Sequence, residues 1–217
     1  MISADTPPLT RLIHSRLYVL VDGRNNEAQF RDLVSKLVEA KVDVLQLRDK
    51  RLEDRELLDR GRILRQLTRG TATLFIMNDR PDLAILADAD GVHVGQEELS
   101  VQDVRQILGP DRLIGVSTHS VTQVRQAMAD GADYIGCGPT FPSTTKAFPQ
   151  YAGLAFLKQA ADQTAVPAYA IGGISLANVS QVIECGFRRI AVGAAIVESA
   201  DPAGAVDMFR AALAASS

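Results

Sequence analysis

The stretch Thr73-Leu74-Phe75-Ile76-Met77-Asn78-Asp79-Arg80-Pro81 shows most clearly how strands and helices follow one another in this chain. A short, mostly apolar run gives way abruptly to three polar residues, and a proline then stands where a helix can begin. A run that is apolar throughout is typical of a strand covered on both faces, as in a parallel sheet. The sequence therefore predicts a strand over Thr73–Met77 and, directly after the polar residues, a helix over Pro81–Ala87.

The same kind of run recurs at even spacing along the 217 residues. The predicted strands are Leu17–Val21, Val42–Leu45, Thr73–Met77, Gly91–Val94, Leu113–Val116, Asp133–Cys137, Pro167–Ile171 and Arg189–Val192. Helix-like segments separate most of them. For example, Phe30, Leu33, Val34, Leu37 and Val38 have the i, i+3, i+4, i+7, i+8 spacing of an amphipathic helix. Eight strands give one strand-helix unit for about every 27 residues, which is near the size of a βαβ repeat.

These units predict an α/β fold: a (βα)8 TIM barrel that forms a single catalytic domain over residues 17–217. The rival architecture is a doubly wound open sheet, whose dinucleotide-binding form carries G-x-G-x-x-G after its first strand. Here the first strand is followed by Asp22-Gly23-Arg24-Asn25, which lacks that motif. Residues 1–16, with Pro7-Pro8, are predicted to be an N-terminal leader or a capping segment.

Composition narrows the class of function. Hydrophobic residues make up 47% of the chain, which excludes an intrinsically disordered protein, and 23 basic against 26 acidic residues leave a net charge of −3. No apolar run approaches the roughly 18 residues of a membrane-spanning helix, and the N-terminus lacks the features of a signal peptide. The two cysteines form neither a disulfide scaffold nor a CxxC pair. We expect a cytoplasmic enzyme that acts on small molecules, with neither nucleic acid nor membrane as partner.

A barrel of this class builds its active site at the carboxyl ends of the strands, so the residues after each strand are the candidates. After the second strand come Gln46-Leu47-Arg48-Asp49-Lys50. If the strand continues, Gln46, Arg48 and Lys50 share one face, and two cations with an amide donor suit a phosphate or diphosphate. A solvated run of charges is the alternative for this stretch.

Candidate metal ligands follow the third and fourth strands. Asn78 and Asp79 offer the oxygen ligands that Mg²⁺ prefers, although the same pair could cap the next helix. Glu97 and Glu98 could add a second carboxylate, or could simply complement a helix dipole. After the fifth strand comes Ser117, with His119 expected to be structural.

Candidate phosphate-binding groups follow the last three strands. The loop Pro139–Gln150 carries hydroxyls at positions 143 to 145 and a lysine at 146, although clusters of Ser and Thr are common in any loop. Gly172-Gly173 and Gly193-Ala194 stand where this fold usually binds phosphate, although glycines can also merely end strands. Together these positions indicate that the protein binds two anionic groups. One is a diphosphate beside the cations and the metal, and the other is a monophosphate beside the glycines.

The stretch Val44-Leu45-Gln46-Leu47-Arg48-Asp49-Lys50 resembles the Q-x-R-x-K signature of the thiamine phosphate synthase family. Five more stretches resemble that family and occur in its order between Leu17 and Ile196: Asn78–Arg80, Asp90–Gln96, Gly115–Ser117, Gly131–Gly136 and Ile171–Ile174. The resemblance implies a (βα)8 barrel that uses Mg²⁺. It would join 4-amino-5-hydroxymethyl-2-methylpyrimidine diphosphate to a thiazole phosphate, giving thiamine phosphate and diphosphate by a dissociative mechanism.

The resemblance also implies a role for individual residues. The implied catalytic residues are Arg48, Lys50, Ser117 and Lys146. The implied contacts of the pyrimidine diphosphate are Gln46, Leu47, Arg48, Asp49, Lys50, Asn78, Ser117 and Lys146. The implied contacts of the thiazole phosphate are Ser143, Thr144, Thr145, Gly173, Gly193 and Ala194. Asp79 and Glu98 would hold Mg²⁺, with Glu97 as the next candidate; Glu98, Ser143 and Ala194 stand where the family commonly has Asp, Thr and Ser.

Two other functions fit the same scaffold. A thiazole tautomerase would need the thiazole phosphate site but not the metal and diphosphate groups. A non-catalytic sensor of phosphate ligands would be expected to lack Lys146, Asp79 or Arg48. All of these groups are present, which favours the synthase.

Overall fold

The computed structural model describes residues 3–142 and 151–215. Eight parallel strands close into a barrel in the order of the sequence. The strands are β1 (Leu17–Val21), β2 (Val44–Leu47), β3 (Leu74–Asn78), β4 (Gly91–Val94), β5 (Leu113–Thr118), β6 (Tyr134–Cys137), β7 (Ala168–Ile171) and β8 (Ile190–Val192). Pairing of Leu17 with Ile190 joins the first strand to the last. The closed barrel confirms the predicted (βα)8 fold and excludes the open sheet.

Helices surround the barrel and return the chain from the end of each strand to the start of the next. They are α1 (Pro8–His14), α2 (Glu27–Glu39), α3 (Asp54–Thr68), α4 (Pro81–Leu86), α5 (Val101–Leu108), α6 (Val121–Ala129), α7 (Gly153–Gln163), α8 (Val179–Glu184), α9 (Ala194–Val197) and α10 (Pro202–Ala214). Helix α1 precedes the barrel, and α9 is a short extra helix after β8. Across the described ranges, no helix combines the length and the apolar character needed to cross a membrane.

The core has two layers because successive side chains of a strand point to opposite faces. Residues such as Val19, Leu45 and Phe75 are fully buried between the strands and the helices. The alternate residues fill the barrel interior, where Tyr18, Val44, Leu74, Tyr134 and Tyr169 form a separate cluster. This continuous burial explains why the strands are apolar throughout instead of alternating with polar residues.

Helix α1 lies at the amino-terminal end of the barrel. Its Leu12 is fully buried in the interior cluster. Its Arg11 contacts one carboxylate oxygen of Asp90 at 3.1 Å, while Arg65 contacts the other oxygen at 2.8 Å. These contacts hold α1 against the end of the barrel.

Candidate active site

Most of the predicted site residues that the structure describes lie at one end of the barrel, which we call the mouth. Asn78 ends β3 and pairs with His93 of β4, and Ser117 pairs with Gly136 near the end of β5. Gly173 and Gly193 follow β7 and β8. The mouth therefore collects groups that are far apart in the sequence, as expected from the parallel order of the strands.

The cations after β2 stand on one side of the mouth. Arg48 is half-buried and its backbone N–H donates to Val21 O at 2.8 Å, which fixes it beside β1. Its guanidinium has no ion pair with any carboxylate of the described ranges. Lys50 is exposed and reaches across to β3. A half-buried, unpaired guanidinium and a flexible ammonium are suited to bind an anion.

Two carboxylates stand on either side of the Lys50 ammonium. Its Nζ is 3.3 Å from Asp79 Oδ2 and 3.9 Å from Glu98 Oε1. The structure brings Asp79 and Glu98 together because both carboxylates converge on one cation, and their role as metal ligands stays a prediction. Two hard oxygen donors with room for water and substrate oxygens suit Mg²⁺. Within residues 3–142 and 151–215, no third acidic, histidine or cysteine side chain joins them.

The helix-capping alternative for Asn78 and Asp79 is wrong. The N-cap residue of α4 is Arg80, and no side chain caps that helix. The N-cap of α5 is Ser100, whose hydroxyl accepts from Asp103 N. Glu98 instead folds over Gly95, where a Cβ would stand 2.2 Å from Glu98 Oε2. Neither Asp79 nor Glu98 is the N-cap residue of a helix, and the carboxylates of both face Lys50.

Two of the implied contacts of the pyrimidine diphosphate, Leu47 and Asp49, have side chains that are engaged in other contacts. The Leu47 side chain is fully buried in the layer between strands and helices, so this residue could offer a ligand only its backbone. The Asp49 carboxylate accepts from Gly23 N at 3.0 Å and from Arg51 N at 2.8 Å. Burial alone would raise the pKa of Asp49, but the hydrogen bonds from Arg51 and Gly23 outweigh it and lower the pKa to about 2. Asp49 thus holds the loops after β1 and β2 together.

The sequence interpretation gave no role to three polar side chains of the barrel interior below the mouth: Tyr18, His93 and Tyr134. His93 Nε2 lies 3.0 Å from Ser117 Oγ, and its Nδ1 lies 3.3 Å from the Tyr134 hydroxyl. Burial lowers the pKa of His93 to about 4, so the imidazole is neutral at physiological pH. The signal that the sequence offered was His93 itself, a polar residue within the apolar fourth strand.

The opposite side of the mouth is made of backbone. Gly172 O accepts from Phe141 N at 3.0 Å, and Gly173 O accepts from the Asn178 side chain at 2.9 Å. After β8, Gly193 is the N-cap residue of α9. The first N–H groups of a helix lack intrahelical partners, so the turn at Gly193 can donate to phosphate oxygens. The other predicted residues of this region, Ser143, Thr144, Thr145 and Lys146, lie outside the described residues.

The protein is thus a (βα)8 barrel that carries cations, a pair of carboxylates and glycine turns at one end. The family model for thiamine monophosphate synthase matches residues 17–196, and the chain belongs to that family. A thiamine-phosphate synthase of Rhodopirellula baltica is 47% identical over 191 residues, covering 86% of this chain and 51% of the relative. One from Halalkalibacterium halodurans is 41% identical over 169 residues, covering 77% of this chain and 80% of the relative.

Comparison of structures gives the same family. The thiamine phosphate pyrophosphorylase of Pyrococcus furiosus superimposes with a TM-score of 0.83 at 32% identity, covering 96% of this chain and 98% of that one. The chain nevertheless spans only about half the length of several of the curated relatives that it matches.

Proposed function

We propose that this chain is a thiamine phosphate synthase. It transfers the pyrimidinylmethyl group of 4-amino-5-hydroxymethyl-2-methylpyrimidine diphosphate to the nitrogen of a thiazole phosphate and releases diphosphate. The observation that carries the proposal is the pair Asp79 and Glu98 around a cation, beside the unpaired Arg48. Neither a tautomerase nor a simple phosphate binder needs that arrangement. The names of the most similar relatives support the same activity.

The two anionic groups bind on opposite sides of the mouth. Arg48, Lys50 and Asn78 contact the diphosphate, and the resemblance adds Lys146 to this group. Gly173, Gly193 and Ala194 offer backbone N–H groups to the thiazole phosphate, and the resemblance adds the hydroxyls of residues 143 to 145. Because Ala194 has no hydroxyl, only its backbone contributes.

Asp79 and Glu98 hold Mg²⁺ in this proposal. When bound there, the ion would contribute positive charge beside the leaving diphosphate. Lys50, which bridges these carboxylates in the structure, is then free to turn its ammonium toward the diphosphate oxygens. Arg48 adds a second fixed positive charge.

The reaction proceeds by loss of the leaving group first. The bond between the pyrimidine methylene carbon and the diphosphate oxygen breaks, and its electron pair leaves with the diphosphate. The ring amino group stabilises the resulting carbocation, and the thiazole nitrogen supplies the electron pair of the new carbon–nitrogen bond. Residues at the mouth neutralise charge and align the two rings, which supplies most of the catalysis. The neutral, hydrogen-bonded His93 fits this scheme because no step needs a strong base.

The two sides of the mouth can be tested separately by calorimetric binding. Arg48→Met and Lys146→Ala are each expected to weaken pyrimidine diphosphate binding at least about tenfold, because a hydrogen bond to a charged group contributes roughly 1.5–3 kcal/mol. Neither change should alter the affinity for thiazole phosphate. Arg55→Met, which alters an exposed arginine of α3, is the control. Equal losses for both ligands, or no loss, would refute this assignment.

The tautomerase alternative makes a different prediction. A tautomerase would isomerise a carboxylated thiazole phosphate with no pyrimidine substrate and no metal. We expect no such conversion by the purified chain, which the absorbance spectrum of the thiazole can follow. Conversion without Mg²⁺ would favour the alternative.

A further inference from the structure

One arginine of the family-like stretch Asn78–Arg80 has no role in the proposed function. Arg80 directly follows Asp79, and its guanidinium contacts two other carboxylates. Its Nη2 donates to Asp54 Oδ2 at 3.1 Å and to Asp82 Oδ2 at 2.6 Å, and its Nε donates to Asp82 Oδ1 at 2.9 Å. Its Nη1 donates to Asp54 as well. Each of the three nitrogens thus serves a carboxylate, so this guanidinium is unsuited to bind a substrate phosphate.

The two carboxylates belong to different helices. Asp54 is the first residue of α3, at the end of the loop that carries Arg48 and Lys50, and Asp82 lies in the first turn of α4. We call Arg80, Asp54 and Asp82 the Arg80 network. It joins the segment after β2 to the segment after β3. The ion pair between Lys50 and Asp79 spans the same two segments.

The Arg80 network also stands next to the strained backbone of Asp79, which has φ of +59°. On the amino side, the Asp79 N–H donates to His93 O at 2.8 Å. On the carboxyl side, Pro81 disfavours a helical backbone at Arg80, and the network fixes the end of the Arg80 side chain. Because a non-glycine residue stays in the left-handed region only where its surroundings hold it, contacts on both sides are needed.

We infer that Arg80 is a positioning residue that holds the Asp79 carboxylate toward Glu98 for a divalent cation. This inference rests on the proposed function, in which Asp79 and Glu98 bind Mg²⁺. That ion demands near-octahedral oxygen ligands at about 2.0–2.1 Å, so a carboxylate whose backbone can turn away binds it less tightly. Arg80 itself does not touch the ion or the substrates.

Positioning and plain charge predict effects of opposite sign. Arg80 is a cation beside a proposed cation site, so if it acted only through its charge, its removal would relieve repulsion and tighten metal binding. If it positions Asp79, its removal weakens metal binding. The Asp54 and Asp82 side chains are more than half exposed, and ion pairs of exposed groups contribute little to global stability. A loss of metal affinity can therefore be separated from unfolding.

Four variants distinguish these effects. Arg80→Met removes the network, whereas Arg80→Lys keeps the positive charge but cannot hold two carboxylates in a forked arrangement. Arg62→Met is the matched control, because it removes an exposed arginine whose ion-pair partner, Asp59, lies in the same helix α3. Asp79→Asn tests the metal site itself.

The experiment measures Mn²⁺ binding to the ligand-free protein by electron paramagnetic resonance, with Mg²⁺ as competitor. Mn²⁺ is a suitable probe because it also prefers octahedral oxygen ligands. Arg80→Met is expected to weaken binding about five- to tenfold and Arg80→Lys at least about threefold, while Arg62→Met stays within about twofold of the parent. Urea unfolding should give Arg80→Met a midpoint close to that of the parent. Should Arg80→Met fail to fold, Arg80→Lys decides by the same criterion.

The outcomes separate this inference from the proposed function. Asp79→Asn is expected to abolish the site at which Mg²⁺ competes. If it does so while both Arg80 variants bind Mn²⁺ as tightly as the parent or more tightly, the inference is overturned and the proposed metal site stands. Parent affinity in Arg80→Lys alone would show that charge suffices and would also overturn the inference. A parent without a competed site, or an unaffected site in Asp79→Asn, would overturn the metal role of Asp79 and the inference together.

Discussion

The backbone of Asp79 is constrained at the point where β3 enters the mouth. The residue has a left-handed backbone with φ of +59°, and its N–H donates to His93 O at 2.8 Å. A non-glycine residue in this region costs about 1–3 kcal/mol and persists where the surroundings hold it. Glu98, in contrast, belongs to the loop between β4 and α5 and reaches the same place through a longer side chain.

This difference predicts unequal effects of substitution at the two proposed metal ligands. Asp79→Ala should nearly abolish activity. Glu98→Ala should mainly raise the Mg²⁺ concentration needed for half-maximal rate, because water can replace a ligand from a loop. Glu98→Asp should remain active. Initial rates against Mg²⁺ check all three variants; a Glu98→Ala curve identical to that of the parent would move the second carboxylate elsewhere, with Glu97 the next candidate.

His93 predicts a pH dependence of stability. Its pKa in the folded protein is about 4, below the ordinary value of 6.5, so the unfolded chain takes up a proton first as the pH falls. The free energy of unfolding should therefore decrease between about pH 6.5 and pH 4 and be unaffected by this group at higher pH. The loss amounts to about 3 kcal/mol. Urea unfolding of the parent and of His93→Gln over this range measures it, and parallel pH profiles would contradict the prediction.

The sequence patterns predicted polar residues at or just beyond the ends of strands and gave no role to Tyr18 and Tyr134, which lie in the barrel interior. Arg48 and Asp79 stand at abrupt transitions from apolar to polar residues, which a linear pattern reveals. Tyr18 and Tyr134 are 116 positions apart and meet only because the barrel closes. The hydrogen bonds of Tyr18 and Tyr134 depend on which hydroxyls face each other, and the folded structure alone shows this.

At the scale of elements, α1 closes the end of the barrel opposite the mouth. Leu12 is inserted among interior side chains, and the Ser15 hydroxyl bonds both to Leu12 O and to the Tyr169 hydroxyl. Ile13, which directly follows Leu12 in the sequence, is about half exposed on the outer side of the helix. One helix thus offers a buried and an exposed apolar residue side by side.

Truncation of these two neighbours should have unequal effects on stability. Leu12→Ala is expected to lower the free energy of unfolding by about 3 kcal/mol, because it removes buried methyl groups and leaves a cavity. Ile13→Ala should change it by less than about 0.5 kcal/mol. Denaturant unfolding measures both. Similar small losses would show that α1 does not cap the barrel.

The boundaries of elements show where tertiary contacts override the pattern. The second strand begins at Val44 instead of the predicted Val42, because Val42 N donates to Leu37 O and so completes the end of α2. The fifth strand continues past the predicted Val116 to Thr118, whose hydroxyl donates to Gly136 O. Polar residues extend this strand because its end lines the mouth.

At the scale of the whole molecule, the eightfold repetition made the fold predictable. A parallel barrel requires strands that are buried on both faces and separated by helices, and each unit of the sequence shows this pattern independently. The barrel brings the proposed diphosphate and thiazole phosphate sides to one rim within this chain. The longer relatives contain further residues, so whether this chain alone is sufficient for catalysis is the central question.

The most direct measurement is product formation by the purified chain with both substrates and Mg²⁺. We expect thiamine phosphate and diphosphate in equal amounts, with formation stopped by a chelator and by Asp79→Ala. Binding of both substrates without any product would contradict the account and identify the chain as a sensor of phosphate ligands.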